Sequence, residues 1–252
     1  MQIVLITALG VGGATIIGAV IGFCFKKISH SFSDIVLSFA SGVMLAASVI
    51  GLILPSLEYG GKYKIVVTIA GIFCGALCVN IMDKVVPHLH KLTGIDIEAH
   101  PEKQSSINKV LLFVIAIAIH NLPEGIAAGV GFGTENVNKA LFIAGGIALQ
   151  NIPEGMVIIA PMVGLGIGYK RIFSIAVVTG IIEVVGTFIG YFAVTLSTAI
   201  LPFALSFAGG TMLYVISDET LSETHAHGSQ RGATYSLIIG FCVMLLFDTL
   251  LG

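Results

Sequence analysis

Eight long apolar segments, separated by short stretches of charged and loop-forming residues, follow one another along the chain. They cover residues 2–25, 35–57, 65–82, 108–131, 139–163, 172–194, 199–217 and 233–251. Each approaches the ~20 residues that a helix needs to cross the hydrocarbon core of a bilayer. Backbone groups in lipid must satisfy their own hydrogen bonds, and these segments do not alternate as barrel strands do. The pattern therefore predicts an all-α membrane protein, a bundle of eight transmembrane helices.

The composition supports this class of protein and excludes two others. Of the 252 residues, 56% are apolar and only 10% are charged, whereas a soluble domain carries about 25% charged residues. Twelve Lys and Arg stand against fourteen Asp and Glu, with no basic run, which excludes a nucleic-acid partner. Eight spans leave no room for a soluble domain. We expect a single transmembrane domain over residues 1–252, with the lipid bilayer as its surroundings.

Positive residues are distributed unevenly between the two sets of loops. If the N-terminus lies outside, nine of the twelve Lys and Arg fall on the cytoplasmic side. Because cytoplasmic loops hold the excess of positive residues, we expect both termini outside the cytoplasm, in the plasma (inner) membrane. The loop over residues 83–107 is then cytoplasmic, as is the loop after the seventh segment. Their histidines are either ligands for metal release or sensing, or solvated loop residues: His88, His90, His225 and His227.

Three carboxylates lie near the middle of neighbouring segments, at similar depth: Glu124, Glu154 and Glu183. An ionisable group inside a span costs roughly 2.5 to 3.5 kcal/mol on insertion scales, so it indicates a functional site. No Lys or Arg lies at that depth in these segments. The counter-charge must therefore be protons or metal cations.

Two of these carboxylates belong to a repeated motif, HNLPEG at residues 120–125 and QNIPEG at residues 150–155. The residue four positions before each Glu lies one helical turn away on the same face, so His120 and Glu124 can bind one ion, as can Gln150 and Glu154. Each Pro removes a backbone donor and frees a carbonyl one turn back. The alternative is a pair of Pro-kinked structural helices whose polar groups form hydrogen bonds with one another.

The donor set indicates the kind of metal. One His nitrogen, three carboxylates and up to three amide oxygens exceed the four positions of a tetrahedral zinc ion. Two adjacent metals bridged by Glu124 or Glu154 would use the donors better. Because thiolates are missing, the set suits Zn²⁺, Fe²⁺ or Mn²⁺ more than Cu⁺.

At these residues the sequence resembles the ZIP family of divalent metal transporters, whose hallmark is HNxPEG in the fourth span followed by (Q/E)(D/N)xPEG in the fifth. The resemblance covers the whole chain, from the eight spans and outside termini to the His-bearing loop. It implies uptake of Zn²⁺, or of Fe²⁺, Mn²⁺ or Cd²⁺, toward the cytoplasm, with the metal as substrate, no cofactor, and assembly as a homodimer. The metal ligands that it implies are His120, Asn121, Glu124, Gln150, Asn151 and Glu154, and Glu183 matches a carboxylate that the family places in its sixth span.

Three further positions are interpreted through the resemblance. Met44, in the second segment, matches a methionine that faces the metal site in the bacterial branch, and it is either a weak thioether contact or a packing residue. Gly51 stands where family members often have Ser. Asn151 stands where others carry Asp, which makes this site less negative by one charge.

Two other classes of protein use similar residues. An intramembrane metalloprotease would carry HExxH, but here Asn121 follows the histidine. We therefore expect a transporter and not an enzyme. A metal-selective channel, or an exporter with the same site, remains the alternative, because ligands and orientation do not set the direction of flow.

Overall fold

In the computed structural model, residues 1–25, 29–85, 120–134, 136–164, 166–224 and 230–251 are described. The regular structure over these ranges is entirely helical, as predicted. Eight of the described helices position the candidate site and its surroundings: α1 Gln2–Cys24, α2 His30–Ala46, α3 Lys64–Val85, α4 over residues 120–131, α5 Val137–Val157, α6 Tyr169–Leu196, α7 Leu201–Val215 and α8 Gln230–Leu251.

Two of these helices continue through a wider turn. A π-helical segment, Ala47–Ile53, joins α2 to the further helical residues Leu54–Tyr59. A second, Ile216–Thr220, prolongs α7 into Leu221–Thr224. Helix α2 begins before the predicted residue 35 because Ser29 caps its N-terminus, where the hydroxyl oxygen accepts a hydrogen bond from the backbone N–H of Phe32 at 3.3 Å.

Seven of the eight predicted segments lie in helices that are candidate membrane spans. Within the described residues, α1, α2, α3, α5, α6, α7 and α8 belong to helices that are long and apolar enough to cross a membrane. Helix α4 is the described part of the fourth segment, and residues 108–119 of that segment lie outside the described ranges. The same holds for the four loop histidines His88, His90, His225 and His227.

Helix α5 ends earlier than the predicted residue 163. It stops at Val157, and after Ile158 a short helix, Ile159–Gly164, follows. Pro161 has no N–H for the carbonyl of Val157, so the hydrogen-bond ladder cannot run unbroken past this point.

The helices pack in two groups. Helix α1 lies against α5 and α6, and α4 lies against α6. We call these four the site-bearing group. In the supporting group, α2 packs on α8 and α3 packs on α7.

The two groups meet chiefly where α2 contacts α5. A shared apolar core lies at this contact and includes Met44, Ile143, Ile147 and Met244, each at most 1% exposed. Large apolar side chains such as Phe73 of α3 and Leu246 of α8 are exposed, as expected for surfaces that face lipid. The site-bearing carboxylates therefore lie within one helix group, beside an apolar seam.

Candidate metal centre

The predicted ligands lie on three adjacent helices of the site-bearing group. His120, Asn121 and Glu124 are on α4, and Gln150, Asn151 and Glu154 are on α5, while Glu183 is on α6. Gln150 and Glu183 are fully buried, and Asn121, Glu124 and Asn151 are at most 7% exposed. His120 and Glu154 are half-buried. The structure thus brings polar side chains from all three segments into the protein interior.

The glycine that ends each motif allows a neighbouring helix to come close. A Cβ at Gly125 would overlap the backbone carbonyl oxygen of Glu183, and a Cβ at Gly155 would overlap that of Thr15. The first contact presses α4 against α6 and the second presses α5 against α1. Each motif therefore combines a carboxylate predicted to be a ligand with a small residue that brings another helix within reach of it.

A hydrogen bond connects the two motifs directly. Nε2 of Gln150 on α5 donates to Oε1 of Glu124 on α4 at 3.0 Å. The first residue of the second motif is therefore in contact with the carboxylate of the first motif. Sequence reasoning paired each Glu with the residue one turn back on its own helix, and the structure adds this pairing across helices.

Glu183 accepts hydrogen bonds from three different helices. Asn121 Nδ2 of α4 donates to Oε1, and Asn151 Nδ2 of α5 donates to Oε2 at 2.6 Å. The third donor is the hydroxyl of Thr15 on α1, which reaches Oε1 at 2.6 Å. Glu183 is thus hydrogen-bonded to a residue of each motif.

Three buried oxygens in the two motifs have no hydrogen-bond donor. Within the described part of the chain, Glu124 Oε2, Gln150 Oε1 and Asn151 Oδ1 are buried and accept no hydrogen bond. A buried acceptor without a donor costs about 1 to 3 kcal/mol, so such atoms are uncommon and need an explanation. All three are hard oxygen donors of the kind that bind cations, and none is a nitrogen that would repel one.

The electrostatics of the site favour a cation. Glu154 and Glu183 are both close enough to repel a charge on Glu124. In α5 and α6 the basic residues stand near the helix starts, at Lys139, Lys170 and Arg171. Arg171 precedes Glu183 by twelve positions, about 18 Å along a helix axis. Close carboxylates with no adjacent basic residue on those helices attract a positive ion.

The donors are mixed in type. Within the described ranges, no three His, Cys, Asp or Glu side chains form a group that could hold a metal ion. A metal here must therefore also use amide oxygens, such as those of Gln150 and Asn151.

Met44 is 1% exposed and belongs to the same apolar core as Ala127 of α4 and Ile147 of α5.

Sequence reasoning missed Thr15. It lies in the first predicted span, which is followed by the first charged residue, Lys26, and it is 168 positions from Glu183 along the chain. The one available signal was its hydroxyl in an otherwise nearly uniform run of apolar and small residues. That signal is weak, because threonine in a helix commonly bonds to a carbonyl of its own helix.

Comparison with known proteins points to one family. A family model described as ZIP Zinc transporter matches residues 90–248. The zinc transporter GufA of Myxococcus xanthus is 35% identical over 254 residues, which cover 98% of this chain and 98% of GufA. The zinc transporter ZIPB of Bordetella bronchiseptica is 36% identical, over 95% of this chain and 78% of ZIPB. The zinc transporter ZupT of Chlorobaculum parvum is 34% identical, over 92% of this chain and 91% of ZupT.

Proposed function

The chain belongs to the ZIP family of zinc transporters, and from this premise we propose that it carries Zn²⁺ through the membrane by way of the buried cluster on α4, α5 and α6. It is a transporter of divalent metal ions and not an enzyme, and it is an integral membrane protein. The metal is its substrate. Zinc is the first choice because each of the three relatives described above is named a zinc transporter, and Fe²⁺, Mn²⁺ and Cd²⁺ are candidates for the same donors.

One observation carries this proposal. The oxygens Glu124 Oε2, Gln150 Oε1 and Asn151 Oδ1 are buried without a hydrogen-bond donor. A divalent cation bound to them would satisfy all three. The alternative of two structural helices whose polar groups satisfy one another accounts for the Gln150 to Glu124 hydrogen bond, but it leaves these three acceptors unexplained.

The proposed ligands extend from these oxygens to the rest of the two motifs. They are His120, Asn121, Glu124, Gln150, Asn151 and Glu154, with Glu183 beside them and Met44 as a soft contact from α2. This set exceeds the four positions of tetrahedral zinc. We therefore propose room for two ions, the first on the unpaired oxygens and the second toward Glu183.

The wider architecture completes the proposal. We propose eight transmembrane helices in one domain over residues 1–252, with both termini outside the cytoplasm, a cytoplasmic loop over residues 83–107, and a homodimer in the plasma membrane. Net movement of metal is toward the cytoplasm. Alternating access commonly shifts one helix group against another, and the seam between α2 and α5 divides the site-bearing from the supporting group.

Purified protein in vesicles that enclose a zinc-sensitive dye tests the transport. We expect zinc influx to saturate as external Zn²⁺ rises, because a carrier has a limited number of binding sites. Influx that rises in proportion to Zn²⁺ without saturation would indicate the channel alternative. In cells that express the protein, total zinc content should rise; a fall would indicate the exporter.

Glu124→Gln tests the site. It keeps the side-chain shape and removes the charge, so we expect zinc affinity to fall at least about tenfold. Glu58→Gln is the matched control, because Glu58 is exposed at the end of the α2 continuation and forms an ion pair with Lys139 at 2.6 Å. Equal zinc affinity in Glu124→Gln and wild type, measured by calorimetry on correctly inserted protein, would rule out this site.

A further inference from the structure

Thr15 of α1 makes an unusual contact for a threonine inside a helix. Its hydroxyl donates to Oε1 of Glu183 on α6 at 2.6 Å, and its side chain is 3% exposed. Several other buried threonines bond to carbonyls of their own helices, such as Thr179 to Ala176 at 2.9 Å and Thr211 to Ala208 at 2.7 Å. Thr15 instead uses its hydrogen on a carboxylate of the site.

The position of Thr15 relative to the second motif corresponds to that of Glu183 relative to the first. The backbone carbonyl of Glu183 lies against Gly125, and that of Thr15 lies against Gly155. Each repeated motif therefore holds one partner helix through its last residue. The two residues held in this way are the two whose side chains are hydrogen-bonded to each other.

Glu183 orients two side-chain amides of the site by accepting a hydrogen bond from each. Asn121 and Asn151 both donate to it through Nδ2. Asn151 Nδ2 also donates to the carbonyl oxygen of Val11 on α1 at 3.3 Å, which occupies both of its amide hydrogens. Turning this amide over would place Oδ1 against a carboxylate and a carbonyl, which repel it. The Oδ1 of Asn151 is therefore directed away from Glu183, and it is one of the three buried oxygens without a donor.

A carboxylate accepts about four hydrogen bonds, so three donors leave Glu183 with little freedom. If the hydroxyl of Thr15 were missing, Glu183 would keep only the two amide donors that it orients. The carboxylate could then turn toward other groups, and the amides could turn with it. The fixed orientation of the amide oxygens thus depends on a donor outside both motifs.

We propose that Thr15 is a positioning residue of the metal site: its hydroxyl fixes Glu183, which in turn directs the amide oxygen of Asn151 toward the cation. The inference rests on the proposed function, because it assigns Thr15 to the binding of the transported metal. In this role Thr15 acts on the metal through Glu183, to which its hydroxyl hydrogen is donated. Its contribution is to preorganise ligands, which is expressed in affinity more than in the rate at saturation.

The experiment compares zinc transport by wild type, Thr15→Val, Thr15→Ser and Thr211→Val in vesicles. Thr15→Val keeps the side-chain volume and removes the donor, so we expect KM for Zn²⁺ to rise about tenfold, the scale of one hydrogen bond to a charged group. The maximal rate should change by less than about twofold. Thr15→Ser restores the hydroxyl and should return KM to the wild-type value. Thr211→Val removes a buried hydroxyl in the supporting group and should leave both values unchanged.

A double variant tests whether Thr15 acts through Glu183. In Glu183→Met, which has no oxygen to accept from the hydroxyl, the further change Thr15→Val should have no added effect on KM. If Thr15→Val does not insert in the membrane, Thr15→Ala serves the same comparison, with Thr15→Ser as its reference. A wild-type KM in the variant without the hydroxyl, or a KM in Thr15→Ser as high as in that variant, would overturn the positioning role. Absence of zinc transport by the wild-type protein would instead overturn the proposed function.

Discussion

Gln150 Nε2 on α5 donates a hydrogen bond to Glu124 Oε1 on α4 at 3.0 Å, so the two repeated motifs meet through the first residue of one and the carboxylate of the other. The bond leaves Glu124 Oε2 and Gln150 Oε1 buried and without donors. These two oxygens come from separate helices. A cation bound to both would link α4 to α5 and stabilise the contact between the motifs.

This geometry predicts that His120 and Glu124 contribute unequally to zinc binding. We expect His120→Ala to weaken zinc binding less than Glu124→Gln, because His120 is half-buried and a water molecule or an amide can replace one neutral ligand. Glu124→Gln replaces a buried carboxylate, whose Oε2 has no hydrogen-bond donor, by a neutral amide. Calorimetric titration of both variants with Zn²⁺ checks the order. A larger loss in His120→Ala would show that the imidazole, and not the carboxylate, provides most of the attraction.

Glu183→Gln should change the number of ions bound. The amide that replaces the carboxylate can still accept one hydrogen bond, but it brings no charge for a second metal ion. We expect one ion to stay bound near Glu124 while the second is lost or bound more weakly. Elemental analysis of purified wild type and variant measures this difference. Equal stoichiometry and equal affinity would leave Glu183 without a part in metal binding.

Lower pH should reduce zinc occupancy. Protons and metal ions compete for the same carboxylate and imidazole lone pairs, so metal is released as these groups take up protons. Occupancy should therefore fall steadily from neutral pH to about pH 5.5, and it should recover on return to neutral pH. Equilibrium dialysis at a fixed free Zn²⁺ concentration checks this. Constant occupancy over that range would contradict binding through these groups.

The motif glycines should be intolerant of a single added methyl group. A Cβ in Gly125→Ala would overlap the carbonyl oxygen of Glu183, and overpacking of this kind costs about 1 to 3 kcal/mol. Gly13→Ala is the control, because no atom lies within 4 Å of the Cβ position at Gly13. We expect a lower thermal midpoint for Gly125→Ala and an unchanged or higher one for Gly13→Ala. Thermal unfolding in detergent measures both, and equal midpoints would contradict the close approach of α4 and α6.

The loop over residues 83–107, proposed to be cytoplasmic, is expected to affect turnover without building the site. Replacing His88 and His90 together by Ala should alter the transport rate or its regulation while zinc binding to the buried cluster stays unchanged. Replacing His225 and His227 is the parallel test for the other predicted cytoplasmic loop. Elemental analysis of bound zinc, together with flux into vesicles, distinguishes the two effects. Loss of bound zinc in the His88 and His90 variant would show that the loop contributes ligands.

The sequence alone was sufficient for the membrane class and the helical fold, and it indicated the three helices on which the proposed site lies. A long apolar run in lipid must form its backbone hydrogen bonds within itself, so α1 and α6 follow from hydropathy without tertiary information. Two PEG motifs preceded by polar residues, with a further mid-span carboxylate at Glu183, are enough to indicate a cation site. Those features depend on residues that are close together along the chain or at equal depth in the membrane.

Only the tertiary structure determined which polar atoms form hydrogen bonds with one another and which remain without a hydrogen-bond partner. The donors to Glu183 come from α1, α4 and α5, and the spacing of residues along one helix carries no information about the rotation of another. The hydroxyl of Thr15 could equally have bonded to its own helix, as that of Thr211 does. It reaches Glu183 because α1 also lies close against α6, where a Cβ at Gly12 would overlap the carbonyl oxygen of Gly180 and a Cβ at Gly180 that of Gly12. The direction of the Asn151 amide depends on that same packing, because hydrogen bonds between helices form only after the helices have come together.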